Sequence, residues 1–231
     1  MLEEWRLLLY PLGFLSNFLF GARFIVQWLQ SERQGKSVVT HLFWKLSLSA
    51  HFLLALHTYI QFQYLICLIQ TCHAIISWRN INLMQSTHLS AFSRQKTIYL
   101  FIFAGIAISF AFLLQNLFFM EYWESWLRIP VTPWQTDTGK TISWVGHLAG
   151  MIGYLLFSSR FWIQWWLAEK AQQSCLPPSF WWLSLIGALM SLIYFILIGD
   201  IVNGIGPLLG IVPYIRNLML IYKVKQLSTS I

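Results

Sequence analysis

Arg23 and Gln27 lie four residues apart in an otherwise apolar run, Arg23-Phe-Ile-Val-Gln-Trp-Leu-Gln-Ser-Glu32, and the pair returns in Arg160-Phe-Trp-Ile-Gln-Trp-Trp-Leu-Ala-Glu169. Four residues apart is one face of a helix, so each run aims a guanidinium and a carboxamide the same way. An arginine within an apolar helix is costly to place in lipid and calls for a partner. The chemistry it suits is the capture of an anion, above all a phosphate, which a guanidinium can bind through two parallel hydrogen bonds. The other reading is orientation and packing, with the long side chain reaching up to the water boundary.

The two runs are 137 residues apart, and the same offset relates Ser37 to Ser174, Phe43-Trp44 to Phe180-Trp181, and Arg79-Asn80 to Arg216-Asn217. A fixed offset held without a gap is internal duplication. The candidate anion- or lipid-binding set is therefore Arg23, Gln27, Glu32, Arg79 and Asn80 with Arg160, Gln164, Glu169, Arg216 and Asn217. Two arginines brought together by a pseudo-two-fold axis repel unless an anion, or the Glu32 and Glu169 carboxylates, lie between them. Trp28, Trp44, Trp165 and Trp181 are aromatic lining candidates, although indoles also serve as boundary anchors and packing. Asn80 and Asn217 could equally cap helix ends. His51, His57 and His73 lack metal-ligand spacing and read as polar contacts between helices. No metal, cofactor or catalytic residue is expected.

Of the 231 residues 57% are apolar and only 10% charged, against about 25% charged in an ordinary soluble domain. Apolar runs long enough to cross a bilayer recur along the whole length. The expected fold is therefore all-α and polytopic. Seven spans are read, near residues 7–29, 39–60, 64–80, 97–119, 143–167, 179–198 and 201–222. The weakest is the third, interrupted by Gln70 and His73, and a six-span plan would drop it. The organisation is a first three-helix repeat over 7–83, a linker with the fourth helix and an outer loop over 84–142, and a second repeat over 143–222. Because one helix separates the copies, the repeats run parallel. The outer loop holds Trp123, Trp126, Pro130, Pro133 and Trp134, residues suited to a membrane boundary. Pro177, Pro178, Pro207 and Pro213 are expected to break or kink the last three spans.

The net charge of +7 does not form a nucleic-acid-binding patch, since the basic residues sit between apolar runs. The side reached by the loops after the odd-numbered spans collects Arg33, Lys36, Lys45, Arg79, Arg94, Lys96, Lys170, Arg216, Lys223 and Lys225, while the other side has Arg6, Arg128 and Lys140. That asymmetry puts the N-terminus outside and the C-terminus in the cytoplasm. Cys67, Cys72 and Cys175 have no CxxC spacing and read as small buried thiols. No secretory signal is read at the start, where Glu3 and Glu4 stand.

The second copy also reads Pro177-Pro-Ser-Phe-Trp-Trp-Leu-Ser-Leu-Ile-Gly187 and Gly206-Pro-Leu-Leu-Gly-Ile-Val-Pro-Tyr-Ile-Arg-Asn-Leu218. With the arginine box, this resembles the lipid-A-disaccharide synthase N-terminal membrane domain family, a small relative of the PQ-loop/SWEET class. The first copy is similar more loosely, with Thr40 for Pro177 and Ala50 for Gly187, and the family's glutamine is kept as Gln70 where the second copy has Pro207. The resemblance implies a 3+1+3 SWEET-like arrangement in a bacterial inner membrane. It also implies a part in lipid A or glycolipid biosynthesis, with sugar transfer left to a cytosolic glycosyltransferase domain for which this chain has no room. The expected role is to bind an anionic, phosphorylated lipid precursor. The alternatives are a SWEET-like transporter of a small sugar or sugar phosphate, and a membrane anchor. The chain would be the membrane half of a fused enzyme or a free-standing relative, and its oligomeric state stays open.

Overall fold

In the computed structural model, residues 8–85, 93–119 and 144–229 are described. The tryptophans and prolines of the expected outer loop, and Arg6, Arg128 and Lys140, lie outside them. Among the described residues the structure is helical throughout, with α1 (Pro11–Gln34), α2 (His41–Ile60), α3 (Tyr64–Met84), α4 (Arg94–Phe119), α5 (Trp144–Ala171), α6 (Pro178–Ile198) and α7 (Ile201–Thr229). Four of these, α1, α4, α6 and α7, are long and apolar enough to cross a membrane by length and composition. The other three carry much of the interior polarity, including His51 and His57 on α2, Gln70 and His73 on α3, and Arg160 and Gln164 on α5, all buried.

Local sequence sets the ends. Gly35 takes a left-handed conformation at φ +63°, and its N–H and that of Lys36 close α1 on the carbonyls of Glu32 and Ser31. Thr40 caps α2 by accepting a hydrogen bond from the Phe43 N–H at 3.4 Å. At the equivalent place α6 begins with Pro177 and Pro178, which suit a first turn where N–H groups have no partner. The expected breaks at Pro207 and Pro213 do not occur: α7 continues through both. The Asn217 side chain donates at 2.8 Å to the Pro213 carbonyl one turn back.

Six helices close a ring in the order α1, α2, α3, α5, α6, α7, each packed on its two neighbours, while α4 lies outside against α3. Two seams join the duplicated halves. On one, Asn17 meets Val202 and Gln27 meets Asn217, so α1 and α7 run the same way. On the other, Gln70 meets Tyr154 and Asn80 meets Gln164, so α3 and α5 run the same way too. The largest core cluster, with Phe24, Phe43, Trp44, Phe161, Phe180, Trp181 and Tyr214, fills the half of the ring nearer the ends of α1, α3, α5 and α7. That end carries Arg33, Lys36, Lys45, Arg94, Lys96 and Lys170 and is here termed the basic end.

At the far end the turns after α2 and α6 meet. Gln63 Nε2 donates to Asp200 Oδ2 at 2.9 Å, and these two residues are 137 apart, each the other's counterpart in the duplication. Asn203 Nδ2 donates to both, at 2.7 Å to Asp200 Oδ2 and 3.1 Å to Gln63 Oε1.

A candidate anion site between the two copies

A small cavity of about 40 Å³ lies inside the ring, with walls from α1, α2, α3, α5 and α7. Arg23 and Arg160 both line it, at 2% and 3% exposure. Arg23 donates to Ser47 Oγ at 3.0 Å and Arg160 to Tyr214 Oη at 2.9 Å. Neither has a carboxylate partner among the described residues, and the Nε of each is buried with no acceptor. What surrounds them is aromatic. The Arg23 guanidinium carbon lies 4.7 Å from the rings of both Phe20 and Phe24, and that of Arg160 lies 3.6 Å from Phe157. Phe161 is shared, 5.6 Å from one and 5.1 Å from the other. Ring faces attract cations, typically by ~2 kcal/mol when desolvated, which falls short of the several kcal/mol that burying an ion takes.

Two further buried atoms lining this cavity have no partner, Asn17 Oδ1 and His51 Nε2. Their identities are fixed by their neighbours. Asn17 Nδ2 donates to the Val202 carbonyl at 2.8 Å, which leaves the oxygen free. Gln70 Nε2 donates to Tyr154 Oη at 2.8 Å, so its oxygen accepts the proton on His51 Nδ1 at 2.6 Å and Nε2 remains an acceptor. The cavity thus offers cationic donors on two sides and two neutral acceptors.

The other predicted residues sit nearer the basic end, in two matched clusters across the seams. Gln27 and Asn217 exchange hydrogen bonds at 2.7 and 3.0 Å, and Gln164 and Asn80 do so at 2.8 and 3.1 Å. Each glutamine also donates to a loop carbonyl, Val38 at 3.3 Å and Cys175 at 3.1 Å. Each acid pairs with the arginine of the other copy: Glu169 with Arg79, and Glu32 with Arg216. Trp28 and Trp165 donate to those same carboxylates at 3.0 and 3.1 Å. The glutamates therefore do not lie between Arg23 and Arg160, and the asparagines bridge seams instead of capping helix ends. Trp44 and Trp181 are fully buried. Trp44 reaches Ser174 at 2.8 Å, while Trp181 Nε1 and Ser37 Oγ, their counterparts, are buried without partners.

Residues 12–82 and residues 149–219 each match the Lipid A Biosynthesis N-terminal domain family. The chain belongs to that family. The matched segments repeat at the 137-residue offset that relates Arg23 to Arg160. The chain is 35% identical to the lipid-A-disaccharide synthase of Chlamydia felis over 95% of its own length and 34% of the relative's. It is 37% identical to that of Chlamydia muridarum over 94% and 34%, and 35% identical to that of Chlamydia pneumoniae over 96% and 35%. The chain spans about a third of the length of these relatives. No solved structure matches it.

Within this family member, the structure brings Arg23 and Arg160 to one cavity and leaves the glutamines, asparagines, glutamates and second arginine pair on the seams. Sequence reasoning missed Ser47 and Tyr214 as the arginines' hydrogen-bond partners. Ser47 recurs as Ser184 at the 137-residue offset, but Tyr214 has Ser77 as its counterpart, so the repeat did not pair either residue with an arginine. It read His51 only as a contact between helices. The polar interruptions of α1, α2 and α3, namely Asn17, His51 and Gln70, were the signal for the remaining wall.

Proposed function

We propose that this chain is an integral membrane module of lipid A or related glycolipid biosynthesis that holds a phosphorylated lipid precursor between its two copies. The observation that carries this reading is the pair Arg23 and Arg160, buried without carboxylates in one cavity. An anion between them offsets the burial of both charges. Asn17 Oδ1 and His51 Nε2 call for hydrogen-bond donors, which sugar hydroxyls or a protonated phosphate supply. A phosphorylated sugar head meets both demands. The relatives' name supports the pathway and a cytosolic glycosyltransferase domain as the working partner.

The arrangement proposed is seven spans in a bacterial inner membrane, a 3+1+3 SWEET-like plan with the repeats at 7–83 and 143–222 parallel about the linker 84–142. Its support is the common direction of α1 with α7 and of α3 with α5. The gathering of basic residues at one end supports a cytoplasmic C-terminus. Lipid retained by the purified protein, identified by mass spectrometry, tests the function. The wild type should retain a phosphorylated glycolipid above its share of the membrane, and the double variant Arg23→Ala/Arg160→Ala should not. Equal retention by both would remove the arginines from the site.

A second reading is transport of a sugar or sugar phosphate. It is favoured by a central cavity closed at one end by Gln63, Asp200 and Asn203 and at the other by the aromatic core. Saturable flux of glucosamine phosphate into proteoliposomes would support it over lipid holding.

A further inference from the structure

The two seams are equivalent by duplication but unlike in closure. The α1–α7 seam is joined along its length. Near the far end, Gly13 lies so close to α7 that a Cβ there would come within 2.5 Å of Val202 Cγ1. Asn17 then bonds the Val202 carbonyl, Gln27 bonds Asn217, and Glu32 pairs with Arg216. The α3–α5 seam carries side-chain bonds from Gln70–Tyr154 to Arg79–Glu169. Towards the far end α3 and α5 part around a pocket of about 100 Å³, lined mainly by apolar side chains that include Leu65, Ile66, Leu148 and Met151.

The cause lies in the substitutions between the copies. Tyr154 stands where the first copy has Asn17. Asn17 ties its helix to the neighbouring backbone, whereas Tyr154 turns its hydroxyl to Gln70. The pocket is not capped by α4. That helix covers the basic-end half of the seam, with Phe101 at 4.9 Å from Trp162 and 5.2 Å from Trp165. Further along it leans on the α2–α3 turn, where Phe112 meets Tyr59 and Tyr64. Among the described residues nothing covers the start of α5, with Trp144 77% and Leu148 49% exposed. Among the described residues the pocket is open to the side, and Tyr154 lines both it and the arginine cavity.

We infer that this opening between α3 and α5 receives an acyl chain of the same ligand whose phosphate lies between Arg23 and Arg160, with Tyr154 as the threshold between head and chain. The inference rests on the arginine site proposed above and adds the ligand's apolar part and its route. The wall chemistry selects a hydrocarbon. His147 and Tyr194 are already bonded to each other at 2.8 Å, and Asp200 is held by Gln63 and Asn203. Little polar capacity remains for a soluble sugar. A chain entering from the bilayer meets mainly apolar atoms, and a turn of the Tyr154 side chain, at the loss of its bond to Gln70, connects the two spaces.

The test uses the full chain in lipid nanodiscs with phosphatidic acid carrying a photoreactive diazirine near the end of one acyl chain. Cross-links should map to residues 144–154 and 64–66. Arg23→Ala/Arg160→Ala should lower that labelling by about tenfold, because the head loses its hold. Met151→Trp, which fills the pocket, should abolish it while leaving binding of glycerol 3-phosphate, a head without chains, at the wild-type level. Leu148→Trp repeats the test at a more exposed lining position if Met151→Trp does not fold. Labelling confined to outward residues such as Ile102 and Phe103, or unchanged in both tryptophan variants, would overturn the chain site and leave the arginine site standing. Labelling that survives loss of the arginines would mark the occupant as bulk lipid and also overturn it. Failure of the wild type to bind glycerol 3-phosphate would overturn both.

Discussion

Arg79 and Glu169 form a two-pronged ion pair across the α3–α5 seam, with Nε to Oε1 at 2.7 Å and Nη2 to Oε2 at 3.1 Å, and both side chains are 2% exposed. Their counterparts Arg216 and Glu32 make the same two-pronged contact on the α1–α7 seam but stand 38% and 34% exposed. The difference comes from α4, which has no counterpart on the second seam. Breaking a buried pair strands a charge, typically at a loss of ~3–5 kcal/mol. Exposed pairs contribute little. Glu169→Gln should therefore lower the unfolding temperature in detergent sharply, and Glu32→Gln should leave it unchanged. Equal effects would mean that the seams are energetically alike.

The arginine site makes an opposite prediction about stability. On the proposed function, Arg23 and Arg160 stabilise a bound anion at the expense of the empty protein's stability. Arg23→Met keeps most of the side-chain volume and removes the buried charge, so the ligand-free protein should unfold at a higher temperature. Addition of a phosphorylated ligand should then raise the wild-type unfolding temperature, by about 2.7 kcal/mol in stability at a concentration of roughly a hundred times Kd, and leave the variant unmoved. A destabilised Arg23→Met would show instead that the contacts with Ser47, Phe20 and Phe24 are the reason for the arginine.

Part of this was legible in the residues themselves. The 137-residue offset gave the duplicated plan, because the two copies keep the same interior side chains. Arg23 and Arg160 stood out because a charge in an apolar helix has few bland explanations. Gln27 and Gln164 share the arginines' helix face by spacing, yet one helical turn was enough to put them on a seam facing Asn217 and Asn80. Spacing gives the face of one helix and not the neighbour it meets. The partners Ser47 and Tyr214 come from helices whose rotation only packing decides. The continuity of α7 through Pro207 and Pro213 has the same origin, since neighbouring helices hold a span that its own sequence weakens.

Asp200 supplies a pH dependence. It lies in the turn between α6 and α7, and burial raises its pKa above the usual carboxylate value, against the lowering by hydrogen bonds from Asn203 and Gln63. A carboxyl whose folded-state pKa is raised favours the folded state fully below its unfolded value of about 4. That contribution is lost as pH rises through the folded-state value. The wild type should thus lose stability, relative to Asp200→Asn, as pH rises upward from about 4. Unfolding temperatures of the two proteins measured across that range check the sign. A difference that stays flat, or that grows in favour of the wild type, would show that the Asp200 carboxylate is the preferred folded form.

Membrane orientation is the last expectation and can be read residue by residue. Among the described residues, Arg33, Lys36, Lys45, Arg94, Lys96 and Lys170 all gather at the basic end, whereas the turns joining α2 to α3 and α6 to α7 hold no lysine or arginine. Such asymmetry in short loops normally puts the basic end in the cytoplasm. Cysteines introduced one at a time, in a background lacking Cys67, Cys72 and Cys175, report it directly. Leu8→Cys, at a position 77% exposed near the start of α1, should react with an impermeant thiol reagent added to intact cells. Gln34→Cys and Gln173→Cys, in exposed positions at the ends of α1 and α5, should react only after the membrane is opened. Because α1 and α5 descend from different copies, matching protection of Gln34→Cys and Gln173→Cys also tests whether the copies cross the membrane in the same direction. Protection of one with labelling of the other would place Arg23 and Arg160 in oppositely oriented units and remove the shared site.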